Sequence, residues 1–131
     1  MDEVSTQTGA IPTSGVSLQY LDLDLRECIA TCIECSTICL ATVPHCLGMG
    51  GAHAEPDHIR LLLDCAEICQ TSANFMIRRS DLHARTCAIC AEICDDCAAD
   101  CERLAGDDAQ MEACAQACRR CADQCRRMAA S

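Results

Sequence analysis

The stretch from Cys87 to Cys101 reads CAICAEICDDCAADC and spaces its five cysteines by three, four, three and four residues. On an α-helix, residues three and four apart lie on one face, so these thiols form a single column over about four turns. No turn residue interrupts the run, and the alanines between the cysteines are good helix formers. The spacing therefore predicts a helix with one face made of sulfur.

The same spacing recurs along the chain. The pattern CxxxCxxCxxxC occurs at residues 28–39, 90–101 and 114–125, and residues 65–76 carry a degenerate copy that ends in Ser72 and Met76. Period-two alternation is absent, so we predict no strands. Four amphipathic helices with short connections predict an all-α fold, an antiparallel up-down-up-down four-helix bundle with a cysteine-lined core.

Turn and cap residues set the expected boundaries. Residues 1–16 lack periodicity and predict a disordered tail, so the bundle should occupy residues 17–131, with Ser17 as the first N-cap. Pro44 should end or kink the first helix. The second helix should begin near Asp57.

Two more boundaries follow from short polar or glycine-containing segments. Ser80 and Asp81 offer a cap before the third helix, and Gly106 should end that helix. Asp107 or Asp108 should then cap the fourth helix.

Composition explains why sulfur must fill the core. The 131 residues include 16 Cys but one Tyr, one Phe and no Trp, so thiols must occupy space that aromatic side chains normally fill. The net charge of −10, without any Lys, argues against nucleic acid and anionic membranes as partners. Residues 1–16 do not resemble a signal peptide, and we expect no membrane-spanning segment. These features predict a cytoplasmic protein, where abundant reduced cysteine indicates metal binding more than disulfides.

Several uses of the thiols fit less well. Cysteines at i and i+4 have Cβ atoms about 5–6 Å apart, so intrahelical disulfides would be strained, although bridges between helices are possible. Tetrathiolate zinc sites, as in a metallothionein-like zinc or cadmium buffer, would bury much negative charge. The ferredoxin cysteine spacing is absent. A thiol redox protein needs two cysteines at an exposed site rather than sixteen.

Cu(I) is the ion that best matches this pattern. It is soft, prefers thiolate and thioether ligands, and is neutral when paired with one thiolate, so a filled core buries little net charge. Protonated thiols behave as small hydrophobic groups, so an empty bundle could stay folded. These properties favour a reservoir for Cu(I), with a zinc buffer and a thiol redox protein as alternatives.

Two segments also resemble the bacterial copper storage protein family, in its cytosolic branch. They are HCLGMGGAHAEPDHIRLLLDCAEICQTSANFM at 45–76 and HARTCAICAEICDDCAADCE at 83–102. The resemblance implies a homotetramer of four-helix bundles without enzymatic activity, in which each chain stores roughly one Cu(I) per thiol for copper storage or detoxification. Copper would be delivered by a chaperone or by small thiols.

The resemblance makes every cysteine a candidate ligand, with a few His or Met ligands near a bundle end. The cysteines are Cys28, Cys32, Cys35, Cys39, Cys46, Cys65, Cys69, Cys87, Cys90, Cys94, Cys97, Cys101, Cys114, Cys118, Cys121 and Cys125. Cys46 is the least regular member, because it follows Pro44.

The antiparallel arrangement assigns the remaining soft donors to the two ends. Met76, His83 and Met128 should converge at one end, and His45, His58 and Met111 should converge at the other. We take His83 and Met76 as candidate ligands. Helix capping or loop packing is the expectation for His58, core filling is the expectation for Met111 and Met128, and His53 is not expected to bind metal.

Overall fold

The computed structural model describes residues 21–130, which form the predicted bundle. Its elements are α1 (Leu23–Met49), a short 3₁₀ helix (Gly51–Ala54), α2 (Pro56–Ile77), α3 (His83–Ala105) and α4 (Ala109–Ala130). Helices α1 and α3 each pack against both α2 and α4. No strand occurs within residues 21–130. The structure confirms the all-α four-helix prediction.

Helix α1 begins later than the sequence pattern suggested. Asp22 is its N-cap, and the Asp22 carboxylate accepts a hydrogen bond from the backbone N–H of Leu25 at 2.8 Å. An aspartate in this position stabilises the first turn. The predicted cap Ser17 and the predicted tail 1–16 lie outside the described residues.

Pro44 was predicted to end or kink α1, and it does not end the helix. The helix continues to Met49, and Gly50 follows as its C-cap with φ of 73°. A proline in a helix leaves the carbonyl four residues earlier without its N–H partner. Here both Pro44 and Leu40 are exposed, so water can hydrate that carbonyl. The extension matters because it carries Cys46 into the bundle.

The other boundaries follow the sequence more closely. Pro56 occupies the first turn of α2, Gly106 follows α3 with φ of 53°, and the Asp108 carboxylate accepts the N–H of Met111 at 3.1 Å to cap α4. The exception is the start of α3, where Leu82 holds the cap position without a side-chain hydrogen bond. Ser80 instead stabilises the preceding turn, because its hydroxyl accepts the Leu82 N–H at 3.1 Å.

Two buried hydroxyls hold the helices in register around the thiols. Ser36 donates to the carbonyl of Ala66 at 2.8 Å and so joins α1 to α2. Ser72 occupies a position where the cysteine column of α2 stops, and it donates to the carbonyl of Thr86 at 3.1 Å. A hydroxyl bonded in this way satisfies its donor inside an apolar core.

Helix α1 is long and apolar enough to cross a membrane by length and composition alone. We had expected no such segment. Five of its residues are cysteines, and all five are buried inside the bundle. The core helix of a bundle passes the same test of length and composition, so this one helix, 39% buried over the matching window, is weak evidence for a membrane span.

Candidate metal centre

All sixteen cysteines lie inside the bundle as free thiols, each with at most 1% of its surface exposed. Helices α1 and α3 contribute five each, α4 contributes four and α2 contributes two. The predicted columns therefore face one another across the core.

The sulfur atoms form a network that crosses between helices. Cys32 and Cys125 are 3.5 Å apart between α1 and α4, and Cys69 and Cys94 are 3.5 Å apart between α2 and α3. Within one helix, Cys90 lies 3.8 Å from Cys94, one turn further along α3. Ions bound here could share thiolates along the length of the bundle.

Within residues 21–130, the sulfurs group into four quartets and one trio, in each of which all atoms lie within 4.8 Å of one another. We name these the Cys32 quartet (Cys32, Cys90, Cys121, Cys125), the Cys39 quartet (Cys35, Cys39, Cys65, Cys118), the bridging quartet (Cys35, Cys65, Cys69, Cys94), the Cys69 quartet (Cys69, Cys90, Cys94, Cys121) and the Cys87 trio (Cys28, Cys87, Cys125).

Four cysteines, Cys46, Cys97, Cys101 and Cys114, lie outside these groups but three of them continue the network. Cys114 Sγ is 3.8 Å from Cys39 Sγ. Hydrogen bonds with the thiols of Cys114 and Cys97, together with burial, raise the pKa of the Cys101 thiol. Metal binding at Cys101 would therefore have to displace the proton of its thiol.

Cys46 belongs to a separate cluster of mixed donors. Its Sγ lies 3.3 Å from Nε2 of His58 and 3.4 Å from Sδ of Met111. Burial, followed by the negative charge of Asp108, raises the pKa of the Cys46 thiol to about 11. A thiol, an imidazole and a thioether together form a soft donor set for Cu(I).

Asp100 orients the imidazole of this cluster. Nδ1 of His58 lies 2.7 Å from the Asp100 carboxylate, and because that oxygen accepts, Nδ1–H donates and Nε2 keeps its lone pair towards Cys46. Burial opposes ionisation of Asp100, but hydrogen bonds from Arg103 and His58 lower the pKa of its carboxyl group. Carboxylates commonly orient metal-binding histidines in this way.

The sequence predicted a different role for His58 and did not single out Asp100. His58 is 2% exposed, and its ring bridges Asp100 and Cys46 instead of capping a helix or packing against a loop. Asp100 carried no recognisable signal, because its importance depends on contact with a histidine 42 residues earlier. The convergence of His58 and Met111 at one bundle end agrees with the antiparallel arrangement.

The opposite end carries His83, Met76 and Met128. Sδ of Met76 lies 3.8 Å from Sγ of Cys87. Nδ1 of His83 donates to the carbonyl of Ser80 at 2.9 Å, which leaves the Nε2 lone pair available. His83 and Met128 line an open cavity of about 570 Å³.

This cavity adjoins the Cys87 trio. Three of its lining residues, Leu25, His83 and Met128, each lie one helical turn from a member of that trio. The remaining two histidines have other environments: His45 Nε2 lies 2.7 Å from the Asp108 carboxylate, and His53 is in the 3₁₀ helix.

Comparison with known proteins agrees with a metal-binding role for the cysteine-lined bundle. The sequence model of the family described as copper storage protein matches residues 22–130. The Nmul_A1745 protein from Nitrosospira multiformis is 52% identical, with a TM-score of 0.77 over 82% of this chain and 95% of that one.

Two further solved structures carry informative descriptions. The Cu(I)-bound copper storage protein BsCsp3 is 37% identical, with a TM-score of 0.74 over 81% of this chain and 98% of that one; Csp3 comes from Bacillus subtilis. A cytosolic copper storage protein from Streptomyces lividans, described with five coppers, is 29% identical. Its TM-score is 0.72 over 82% of this chain and 93% of that one.

The match to a curated sequence is shorter. It is to the cysteine-rich protein YhjQ from Bacillus subtilis, with 40% identity over 68 residues. That alignment covers 52% of this chain and 63% of YhjQ, less than two thirds of its length.

Proposed function

This chain belongs to the copper storage protein family, and we propose that it is a cytoplasmic store that binds many Cu(I) ions through thiolates inside its bundle. The observation that carries the proposal is the continuous sulfur network, in which neighbouring thiols on different helices lie 3.5 to 4.0 Å apart. Storage of this kind needs no ligand on the protein surface. The proposed role is not enzymatic.

The chemistry of the core suits a monovalent soft ion in large numbers. One thiolate neutralises one Cu⁺, so filling the network changes the buried charge little, whereas unpaired buried thiolates would be costly. We propose all sixteen cysteines as ligands. In support, each is buried and fifteen of them face the shared core through sulfur contacts or thiol hydrogen bonds.

Both bundle ends would add other soft ligands. At one end we propose Met76 and His83, because the thioether contacts Cys87 and the imidazole presents Nε2 beside the Cys87 trio. At the other end we propose that His58 and Met111 join Cys46, with Asp100 holding the ring.

The empty protein should remain folded, as a reservoir requires. Protonated thiols pack as small hydrophobic groups, and Ile29, Leu62, Met76 and Met111 are fully buried among them. Metal would therefore enter a formed bundle, unlike a zinc finger, which folds around its ion.

We also propose a homotetramer in the cytoplasm that receives copper from a chaperone or small thiols. Exposed Leu40, Leu47 and Leu63, which are 40 to 55% exposed on α1 and α2, support self-association. The description of the Streptomyces lividans relative as cytosolic supports the location.

An anaerobic titration with Cu(I) in the presence of a competing chromophoric chelator tests the storage role. We expect roughly one ion per thiol, that is about sixteen per chain, with little change in helical circular dichroism. Binding of only one or two Cu(I) ions would contradict storage.

A further inference from the structure

The Cys69 quartet has a more regular shape than storage of monovalent ions requires. Its six sulfur–sulfur separations include 3.5 Å from Cys69 to Cys94, 3.6 Å from Cys69 to Cys90 and 3.7 Å from Cys69 to Cys121. Cys90 lies 3.8 Å from Cys94 and 3.9 Å from Cys121. The sixth pair, Cys94 and Cys121, lies within 4.8 Å. Five of the six edges of the sulfur tetrahedron are therefore between 3.5 and 3.9 Å, and the sixth is at most 4.8 Å.

The size of this tetrahedron matches one divalent ion. A zinc ion bound tetrahedrally by four thiolates has Zn–S distances of about 2.3 Å, which place the sulfurs about 3.8 Å apart. The five separations above bracket that value. A zinc ion could thus enter with little movement of the helices, whereas Cu(I) prefers two or three sulfur ligands and does not need a tetrahedron.

We propose that the Cys69 quartet is a site for a single Zn²⁺ ion in the copper-free protein. Helix α2 supplies Cys69, α3 supplies Cys90 and Cys94 one turn apart, and α4 supplies Cys121. Each of the four residues is fully buried, so no water competes for the fourth coordination position, as in structural zinc sites. Binding releases four protons: four thiols and Zn²⁺ give Zn(S-Cys)₄²⁻ and 4 H⁺.

Shared ligands limit how many such ions the bundle holds. The bridging quartet uses Cys69 and Cys94, and the Cys32 quartet uses Cys90 and Cys121, so zinc in the Cys69 quartet excludes both. The Cys39 quartet shares no cysteine with it. Four of its separations lie between 3.7 and 4.0 Å, slightly longer than the five close separations of the Cys69 quartet, so we take it as the second zinc site.

Charge makes the zinc exchangeable. The tetrathiolate carries a net charge of −2 in an apolar core, which is costly. Four Cu⁺ ions on the same thiolates are neutral, and the exchange balances: Zn(S-Cys)₄²⁻ and 4 Cu⁺ give four Cu–thiolate units and Zn²⁺, with no change in oxidation state. This exchange rests on the proposed copper store, but the zinc site itself does not.

Two matched double variants isolate the site. Cys32→Ser with Cys65→Ser removes the Cys32, Cys39 and bridging quartets and leaves only the Cys69 quartet. Cys65→Ser with Cys90→Ser removes all four quartets. Both variants lose two thiols and keep the Cys87 trio, so they differ only in the proposed site.

The test is an anaerobic titration of each copper-free variant with Co²⁺, whose visible bands are intense when four thiolates surround it, followed by displacement with Zn²⁺. The first variant should bind one Co²⁺ with tetrathiolate bands that Zn²⁺ abolishes, and the second should lose these bands. Absence of the bands from the first variant, or equal bands in both, would overturn the proposal. Circular dichroism establishes that both variants are folded.

A second measurement does not depend on any variant. X-ray absorption of the wild-type protein with one equivalent of Zn²⁺ should show four sulfur neighbours at about 2.3 Å. Oxygen or nitrogen neighbours, or fewer than four sulfurs, would overturn the site. A separate Cu(I) titration of the same preparation reports on storage, so the two proposals can fail independently.

Discussion

Nε2 of His58 lies 3.3 Å from Sγ of Cys46, while Nδ1 of the same ring is held by Asp100 at 2.7 Å. The carboxylate fixes the tautomer, so the lone pair of Nε2 and the thiol face one position. The thioether sulfur of Met111 lies 3.4 Å from the same Sγ.

This relationship predicts a selective effect of Asp100→Asn. The amide keeps the shape but no longer stabilises the orientation of His58 by charge, and loss of such a partner typically weakens metal binding about 10- to 100-fold. We expect the affinity for a Cu(I) ion held by Cys46, His58 and Met111 to fall while the total capacity stays close to wild type. Chelator competition across the full Cu(I) titration measures this. Asp123→Asn is the control, because Asp123 pairs with Arg126 on an exposed face of α4 away from the cluster; an equal loss in the control would contradict the prediction.

The core network predicts a loss of capacity when two thiols are removed together. Cys90→Ser with Cys94→Ser deletes two adjacent ligands on α3 and should lower the Cu(I) capacity by about two ions, since roughly one thiolate accompanies each ion. The copper-free variant should remain folded, with a cost of about 1–3 kcal/mol per buried hydroxyl left unpaired. Cu(I) titration and thermal unfolding measure the two effects. Ala91→Ser, another buried position on α3, is the control and should keep full capacity. Unchanged capacity in the double variant would refute core storage.

At the other end of the bundle, the position of His83 predicts that its loss affects the rate of Cu(I) uptake. Its Nε2 borders the open cavity beside the Cys87 trio, so His83→Ala should slow the uptake of Cu(I) from a chelator and leave most of the capacity unchanged. Stopped-flow mixing with a chelated Cu(I) donor measures the rate. His53→Ala is the matched control, because His53 lies in the 3₁₀ helix away from that cavity. If uptake and capacity are both unchanged, His83 is not a ligand.

Exposed leucines predict how the chain associates. Leu40→Glu with Leu63→Glu places charge on the outer faces of α1 and α2, where both residues are exposed in the single chain. If these faces join copies, each buried charge would be strongly unfavourable, and the assembly should dissociate. Light scattering gives the molar mass. Leu82→Glu, at an exposed position beside α3, serves as the control, and a tetramer that survives the double substitution would exclude this interface.

The cysteine columns could be read from the sequence, but their grouping could not. The three- and four-residue steps from Cys87 to Cys101 were enough to predict one face of α3, because helix geometry is local. Which thiols share an ion depends on the axial position of neighbouring helices: Cys32 meets Cys125 across 93 residues. The same limit applies to His58 and Asp100. The proline rule likewise left an end or a kink open at Pro44, and the structure shows that α1 continues to Met49.

The continuation of α1 through Pro44 gives a prediction about stability. Pro44 interrupts the hydrogen bonding of α1 on its exposed side, and proline in a helix interior costs about 3 kcal/mol relative to alanine. Pro44→Ala should therefore stabilise the copper-free protein by about 1–3 kcal/mol, the lower value applying if water already satisfies the Leu40 carbonyl. Thermal and urea unfolding measure the change, and Ala41→Gly, at an exposed α1 position, should destabilise by about 1 kcal/mol. Destabilisation by Pro44→Ala would contradict the prediction and would mean that proline at this position favours the folded helix.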